Sequence, residues 1–245
     1  MRRSVELGSL LNWKDAMVMR VACRIVLTLL LIVAAYLGLV AIWASASFNA
    51  VMISAPQPPL MPLSTRQTAI LLRVEDPTFF RHAGVSMTEG QGSATITSAV
   101  AGDLYFSHRQ FSGLSGLLQR SYNGVFNCCK KFDLGRDVIA LVLDAKLSKR
   151  DQLALYVSDV YLGTHDGAPV IGLPAAANAY AGKPLDELSE PEFIGLVAMI
   201  KAPNLYHPER EPARHAQRVA RIQALLDGKC RPDGWFDTTY DSCQQ

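Results

Sequence analysis

Glu75 closes a run with helical spacing, Ile70, Leu71 and Val74, and is followed at once by Asp76 and by a loop that carries Phe79, His82 and Gly84. A carboxylate at a helix end beside a glycine-bearing loop is suited to lie half in a cleft, where burial raises its pKa toward neutrality and fits it to move a proton. On spacing alone the alternative is a solvated surface acid. Downstream, Ser93, Thr95 and Thr97 offer hydroxyls either to a bound molecule or to the start of the next helix, which Ser and Thr cap readily. No CxxC, HExxH or similar ligand spacing occurs and the five histidines are scattered, which leaves zinc chemistry without support.

The elements that must hold these residues read as helices. Ser64 with Gln67 makes a capping-box start for the helix that ends near Glu75, Ser148 with Asp151 caps another, and Ser189 with Glu192 a third. Helical spacing recurs in Phe111, Leu114, Leu117 and Leu118 and again in Val138, Leu141, Val142 and Ala145, while Thr95–Phe106 reads as a short helix and Pro208 as the opening of the last one. No stretch alternates apolar and polar residues between hairpin turns, so the expected class is mainly α. The stripe from Phe111 to Leu118 either faces the core or rests on a membrane.

From Ile25 to Trp43 no residue carries a formal charge, and as a helix this stretch spans roughly 28 Å, close to the hydrocarbon thickness of a bilayer. Basic residues gather before it, so the positive-inside bias puts the N-terminus in the cytoplasm and everything after Trp43 across the membrane. The alternative is a cleaved signal peptide, with Ala44-Ser45-Ala46 as the small-residue cleavage site. The expected organisation is a cytoplasmic segment over 1–24, a transmembrane helix over 25–45, a linker over 46–63 made extended by prolines, one domain over 64–228 and a tail over 229–245. Of 24 basic and 22 acidic residues, five and two precede the apolar run, leaving a body of 19 basic and 20 acidic. So neutral a body lacks the basic footprint of a nucleic-acid binder. Cys128, Cys129, Cys230 and Cys243 fall in the exported part, where disulfides form. Adjacent cysteines rarely bridge each other, so at least one of Cys128 and Cys129 is expected to join the C-terminal tail.

The run from Arg73 to Gly84 (RVEDPTFFRHAG) is similar to the E-D-x-x-F-x-x-H-x-G motif of the family 51 glycosyltransferases, which polymerise lipid II into glycan strands. Gly92-Ser93-Ala94-Thr95-Ile96-Thr97 resembles that family's G-S-T-I-T segment with one extra residue. The likeness continues from Asp144 to Lys149 through Tyr156, Tyr161-Leu162-Gly163, Gly182-Lys183, Glu192 and Ala202-Pro203 to Tyr206 and Pro208, in family order over most of Leu63 to Leu226. The resemblance implies a lysozyme-like, all-helical domain of the monofunctional type, because Ser-x-x-Lys, the nucleophile motif of penicillin-binding transpeptidases, is absent and no room remains for that domain.

By the same resemblance Glu75 is the general base, and Asp76, Phe79, His82, Ser93, Thr95, Thr97, Arg136 and Lys149 surround the substrate, although Asp76, Phe79 and His82 are better suited to bracing their loop. Lipid II, the growing glycan strand, the membrane and other cell-wall synthesis proteins are the implied partners, with Mg2+ or Mn2+ on the lipid diphosphate as the implied cofactor. Three departures stand out. Where the family has paired glutamines and then a diphosphate-holding lysine, this chain has Ser98, Ala99 and Gly102; the family's second acid falls on Arg136, beside Asp137; and the spacing between motifs is altered. A cation in place of a carboxylate reverses the local field. Asp137 or Glu89 then replaces the acid, or Arg136 takes over the diphosphate contact, or polymerase activity has been lost in favour of glycan binding; a lytic, lysozyme-like reaction with a single glutamate is the remaining alternative.

Overall fold

The computed structural model describes residues 3–55, 63–107, 110–126 and 133–243. Helix α1 (Arg3–Ile53) is one uninterrupted element. Its stretch from Asp15 to Ile53 is long and apolar enough to cross a membrane. Leu27, Leu30, Leu31 and Ile32 stand exposed on it, whereas Val40, Trp43, Ala44 and Val51 are buried against the rest of the chain. Residues 46–53, expected as linker, are therefore helical and packed: without a proline before residue 56, nothing in the sequence stops the helix at the end of the apolar run.

Helix α2 (Thr65–Glu75) starts with the capping box expected of Ser64 and Gln67 and carries Glu75 as its last residue. Helix α3 (Ile96–Gly102) runs into a π-turn over Asp103–Ser107. Next come α4 (Gly113–Phe126), α5 (Leu134–Lys146) and α6 (Lys149–Asp159). Strands β1 (Tyr161–His165) and β2 (Ala168–Ile171) pair antiparallel. Helices α7 (Leu173–Ala181), α8 (Glu190–Ile200) and α9 (Pro212–Leu226) complete the domain. The class is mainly α, as expected. The core joins Ile70, Leu71 and Val74 of α2 to Ile96 and Val100 of α3, Ile139 and Leu143 of α5, Phe193 and Val197 of α8, and Ile222 and Leu225 of α9.

Three expectations need correction. The β1–β2 hairpin turns on Asp166-Gly167, both at positive φ (51° and 79°), which is the Asp-Gly turn that matches strand twist; its strands are too short to show alternation. The last helix opens at Pro212, not at Pro208, because the N–H of Glu211 is drawn to the carbonyl of His207 in a preceding turn. Cys230 and Cys243 bond to each other, so neither is left for Cys128 or Cys129, which lie outside the described residues. The tail is also no appendage: Tyr240 is 2% exposed and its hydroxyl donates to the carbonyl of Val74 at 2.6 Å.

Helix α4 divides its apolar stripe between the two expected faces. Phe111, just before it, meets the ring of Trp43 edge-on at 5.6 Å, and Leu118 lines a crevice with Tyr36, Val40 and Trp43, while Leu114 and Leu117 are exposed. Beneath the loop after α2, Gly84 sits at φ +98°, and a Cβ there would come within 2.6 Å of the carbonyl oxygen of Ala140. Gly84→Ala is expected to cost about 1–3 kcal/mol through backbone strain and overpacking against α5; a urea midpoint equal to that of the unaltered chain would refute this.

Candidate active site

Glu75 is half-buried at the end of α2. Withdrawal from water is the largest influence on its carboxyl and raises the pKa from the usual carboxylate range to about 7, with Arg218 and Lys201 pulling it down and Asp76 pushing it up. The hydroxyl of Tyr156, from α6, hydrogen-bonds to it. Burial and the adjacent Glu75 carboxylate hold that hydroxyl well above its ordinary pKa, so Tyr156 is a neutral donor. The site thus gathers a carboxylate near its neutral form, two cations from α8 and α9, and a phenol. Such a carboxylate changes its proton occupancy near neutral pH, as a general base must.

Arg218 is the buried cation, 1% exposed. Its guanidinium stands 5.5 Å from the ring centroid of Tyr206 and 4.9 Å from that of Tyr240, and it donates to the carbonyl of Thr238 at 3.1 Å. Burial lowers its pKa and Glu75 raises it. Lys201 lies at the exposed C-terminal end of α8. Sequence reasoning missed Lys201, Arg218, Tyr156 and Tyr240. Lys201 directly precedes the recognised Ala202-Pro203 pair and Tyr156 was matched by position, which were the available signals; Arg218 and Tyr240 had none.

Most of the residues expected around the substrate are spent inside the fold. Asp76 is fully buried, takes a hydrogen bond from the backbone N–H of Ile96 at 3.0 Å and pairs with His82 Nε2 at 3.0 Å, while His82 Nδ1 accepts from the N–H of Gly84. This joins the end of α2 to the start of α3 through one carboxylate. Phe79 is 1% exposed. Thr95 caps α3 by accepting from the N–H of Ser98 and donates to the carbonyl of Gly84. Thr97 donates to Gln152 Oε1. Lys149 pairs with Asp144 at 2.7 Å, reaches Thr97 Oγ1 at 3.3 Å and covers the ring of Phe79 at 4.6 Å. Ser93 and Arg136 of that set are half-buried.

The candidate second acids stand on elements other than α2. Glu89 is exposed on its loop, and Asp137 stands in the first turn of α5, its carboxyl raised by burial, lowered by Arg136 and raised again by Asp133. Neither acid, nor Arg136, is among the groups whose charge acts on Glu75. Asp103 acts on Tyr156, the phenol bonded to Glu75, together with Glu75 and Asp76. Arg136 instead crosses α3: its Cδ lies 3.5 Å from where a Cβ on Gly102 would be, and its Nε is buried without a hydrogen-bond partner. Gly102, at the place of the lysine in the resembling family, thus has the Arg136 side chain within van der Waals reach.

Residues 56–227 match the Transglycosylase family. Over 159 residues the chain is 32% identical to penicillin-binding protein 1B of Escherichia coli, covering 64% of this chain and 18% of that protein. It is 31% identical over 150 residues to penicillin-binding protein 1A of Pseudomonas aeruginosa, covering 60% and 17%. A protein of Cupriavidus necator that carries a transglycosylase name, H16_A0665, is 28% identical over 183 residues, covering 69% of this chain and 70% of its own length. The chain spans about a fifth of the length of the penicillin-binding relatives it matches. The matched region holds Glu75, Tyr156, Lys201 and Arg218, and over that region the chain belongs to the Transglycosylase family.

Proposed function

We propose that this protein is a peptidoglycan glycosyltransferase that polymerises lipid II into glycan strands by inverting transfer, with Glu75 as general base. The observation that carries the reading is the half-buried Glu75 carboxyl, raised to about 7 and faced by Arg218 and Lys201. In the reaction Glu75 takes the proton of an acceptor sugar hydroxyl as its oxygen bonds to the anomeric carbon of the donor. The bond from that carbon to the lipid diphosphate breaks, and the diphosphate leaves with the negative charge. Inversion follows from attack opposite the leaving group. Arg136, lying over Gly102, is the cation we assign to the diphosphate in place of a lysine. Among the described residues no group of three His, Cys, Asp or Glu side chains is placed to hold a metal ion; we assign Mg2+ or Mn2+ to the diphosphate.

We place α1 across the inner membrane with the N-terminus cytoplasmic and the domain on the periplasmic face. The basic cluster before Ile25 supports that orientation. The exposed Leu114 and Leu117 of α4, which packs beside the apolar span, support contact with the lipid from which a membrane-held donor is taken.

Purified full-length protein in detergent, given lipid II, is expected to form polymer visible on a gel, and Glu75→Gln is expected to lower the rate by about 100-fold or more. Absence of polymer where a standard enzyme of the family works would overturn the reading. That the acid bearing on the Glu75 carboxyl is the buried, His82-paired Asp76, and not Asp137 or Glu89, favours one alternative, a catalytically silent domain that binds glycan. That alternative predicts lipid II or glycan binding unchanged in Glu75→Gln. Soluble muropeptides released from sacculi would instead mark a lytic enzyme.

A further inference from the structure

The family match ends at residue 227, yet the chain beyond it returns to the two motif segments that carry the candidate site. Tyr240 donates to the carbonyl of Val74, the residue before Glu75, and its ring covers the Arg218 guanidinium. The carbonyls of Thr238 and Thr239 accept from Arg218 and Arg221 of α9, and Asp241 pairs with Arg221 at 2.5 Å. On the other side the tail meets the loop after Gly84. The N–H of Gly90 donates to the carbonyl of Gly234 at 3.0 Å, and a Cβ on Gly90 would fall 2.5 Å from Pro232 and 2.8 Å from the Tyr240 ring. That glycine admits the tail.

The tail is held firmly enough to keep Tyr240 at φ +55°, a conformation that bulky L residues rarely adopt and that persists only where the surroundings over-determine it. Asp237 accepts from the N–H groups of Asp233 and Asp241 and from the hydroxyl of Ser242, and Cys230–Cys243 closes the loop. A strained tyrosine with a buried hydroxyl, set between the base-bearing helix end and its counter-cation, is more than a tail needs for stability alone.

We propose that residues 229–243 form a wall of the active site, in which Tyr240 is a positioning residue that fixes Glu75 against Arg218 and the Cys230–Cys243 disulfide is the clasp that holds it there. This rests on the reading of Glu75 as the base. It makes activity depend on an oxidising compartment through a segment outside the matched region.

The test uses full-length protein in detergent with Tyr240→Phe, Tyr240→Leu and the double variant Cys230→Ser/Cys243→Ser. Two readouts are followed: lipid II polymerisation, and the titration of the Glu75 carboxylate by infrared difference against Glu75→Gln. Misplacement of a reacting group by about 1 Å costs on the order of 100-fold, so Tyr240→Leu should lose about 30- to 100-fold in kcat with KM nearly unchanged. Tyr240→Phe, which keeps the ring, should lose about 3- to 10-fold, since one hydrogen bond is at stake. In Tyr240→Leu and in the cysteine variant the Glu75 titration midpoint moves, upward where Arg218 is displaced and downward where water enters. Thermal melting identifies the folded variants. Should Tyr240→Leu not fold, Tyr240→Phe and the cysteine variant decide. Folded variants that keep both kcat and the Glu75 midpoint overturn the proposal. An inactive unaltered protein, or an active Glu75→Gln, refutes the base assignment instead, and the infrared midpoint still reports whether Tyr240 positions Glu75.

Discussion

Arg218→Ala is expected to destabilise the domain by about 3–5 kcal/mol, and by more at pH 8 than at pH 5. The side chain is 1% exposed, lies between two tyrosine rings and supplies the main positive field on Glu75. Its removal leaves a cavity, an unpaired carbonyl on Thr238 and a half-buried carboxylate without its counter-charge. The pH dependence follows from sign. Arg218 pulls the Glu75 pKa down, so without it the value rises above about 7 and ionisation at pH 8 costs the folded state more. Urea unfolding at the two pH values measures the effect, and a loss equal at both would dissociate Arg218 from Glu75. Adding Glu75→Gln to Arg218→Ala should recover the pH-dependent part alone, which a double-mutant cycle isolates.

The second large effect is a gain. Glu75→Gln is expected to stabilise the protein at pH 8 by about 1–3 kcal/mol while lowering polymerisation by about 100-fold or more. An acid whose folded pKa is raised holds its proton more tightly when folded. Its cost to stability is absent below the ordinary value of 4.5, grows as the pH rises toward about 7, and is constant beyond. The full shift corresponds to about 3 kcal/mol, an upper figure that partial exposure reduces. The variant and the unaltered chain should therefore melt alike at pH 4 and diverge through that window. Parallel melting curves from pH 4 to 8 would show that the carboxyl is not raised. The same shift predicts a polymerisation rate that falls on the acid side of about pH 7.

Local signals were legible and long-range ones were not. Ser64 with Gln67 fixed the start of α2, and hence Glu75 at its end, because a capping box is written within four residues. Asp76, Phe79 and His82 were readable as braces from their place in the motif, but the partner of Asp76 in α3 was not. The hairpin carries its signal in Asp166-Gly167, but strands of five and four residues are too short to show a period. The cysteine pairing failed because adjacency at 128 and 129 argues only against their bonding to each other and says nothing of which distant thiol is near. Arg136 looked like a substituted acid when set against Glu75; in space it belongs to Gly102, across a helix contact that spacing cannot encode. Arg218 and Tyr240 reach Glu75 only through the folded chain, from a helix and a tail with no motif of their own.

Helix α1 passes from its exposed apolar stretch into the domain without a break, and Tyr105 fastens it there by donating to the carbonyl of Ala44 at 2.7 Å. A domain mounted on such a mast has no swivel. With α1 across a membrane as proposed, the height and heading of the domain above the lipid are dictated by how the mast sits there, since each residue of helix advances about 1.5 Å and turns about 100°. Inserting one alanine below Tyr36 would thus re-aim Glu75 and its cations relative to that surface, whereas the same insertion in a slack tether would go unnoticed.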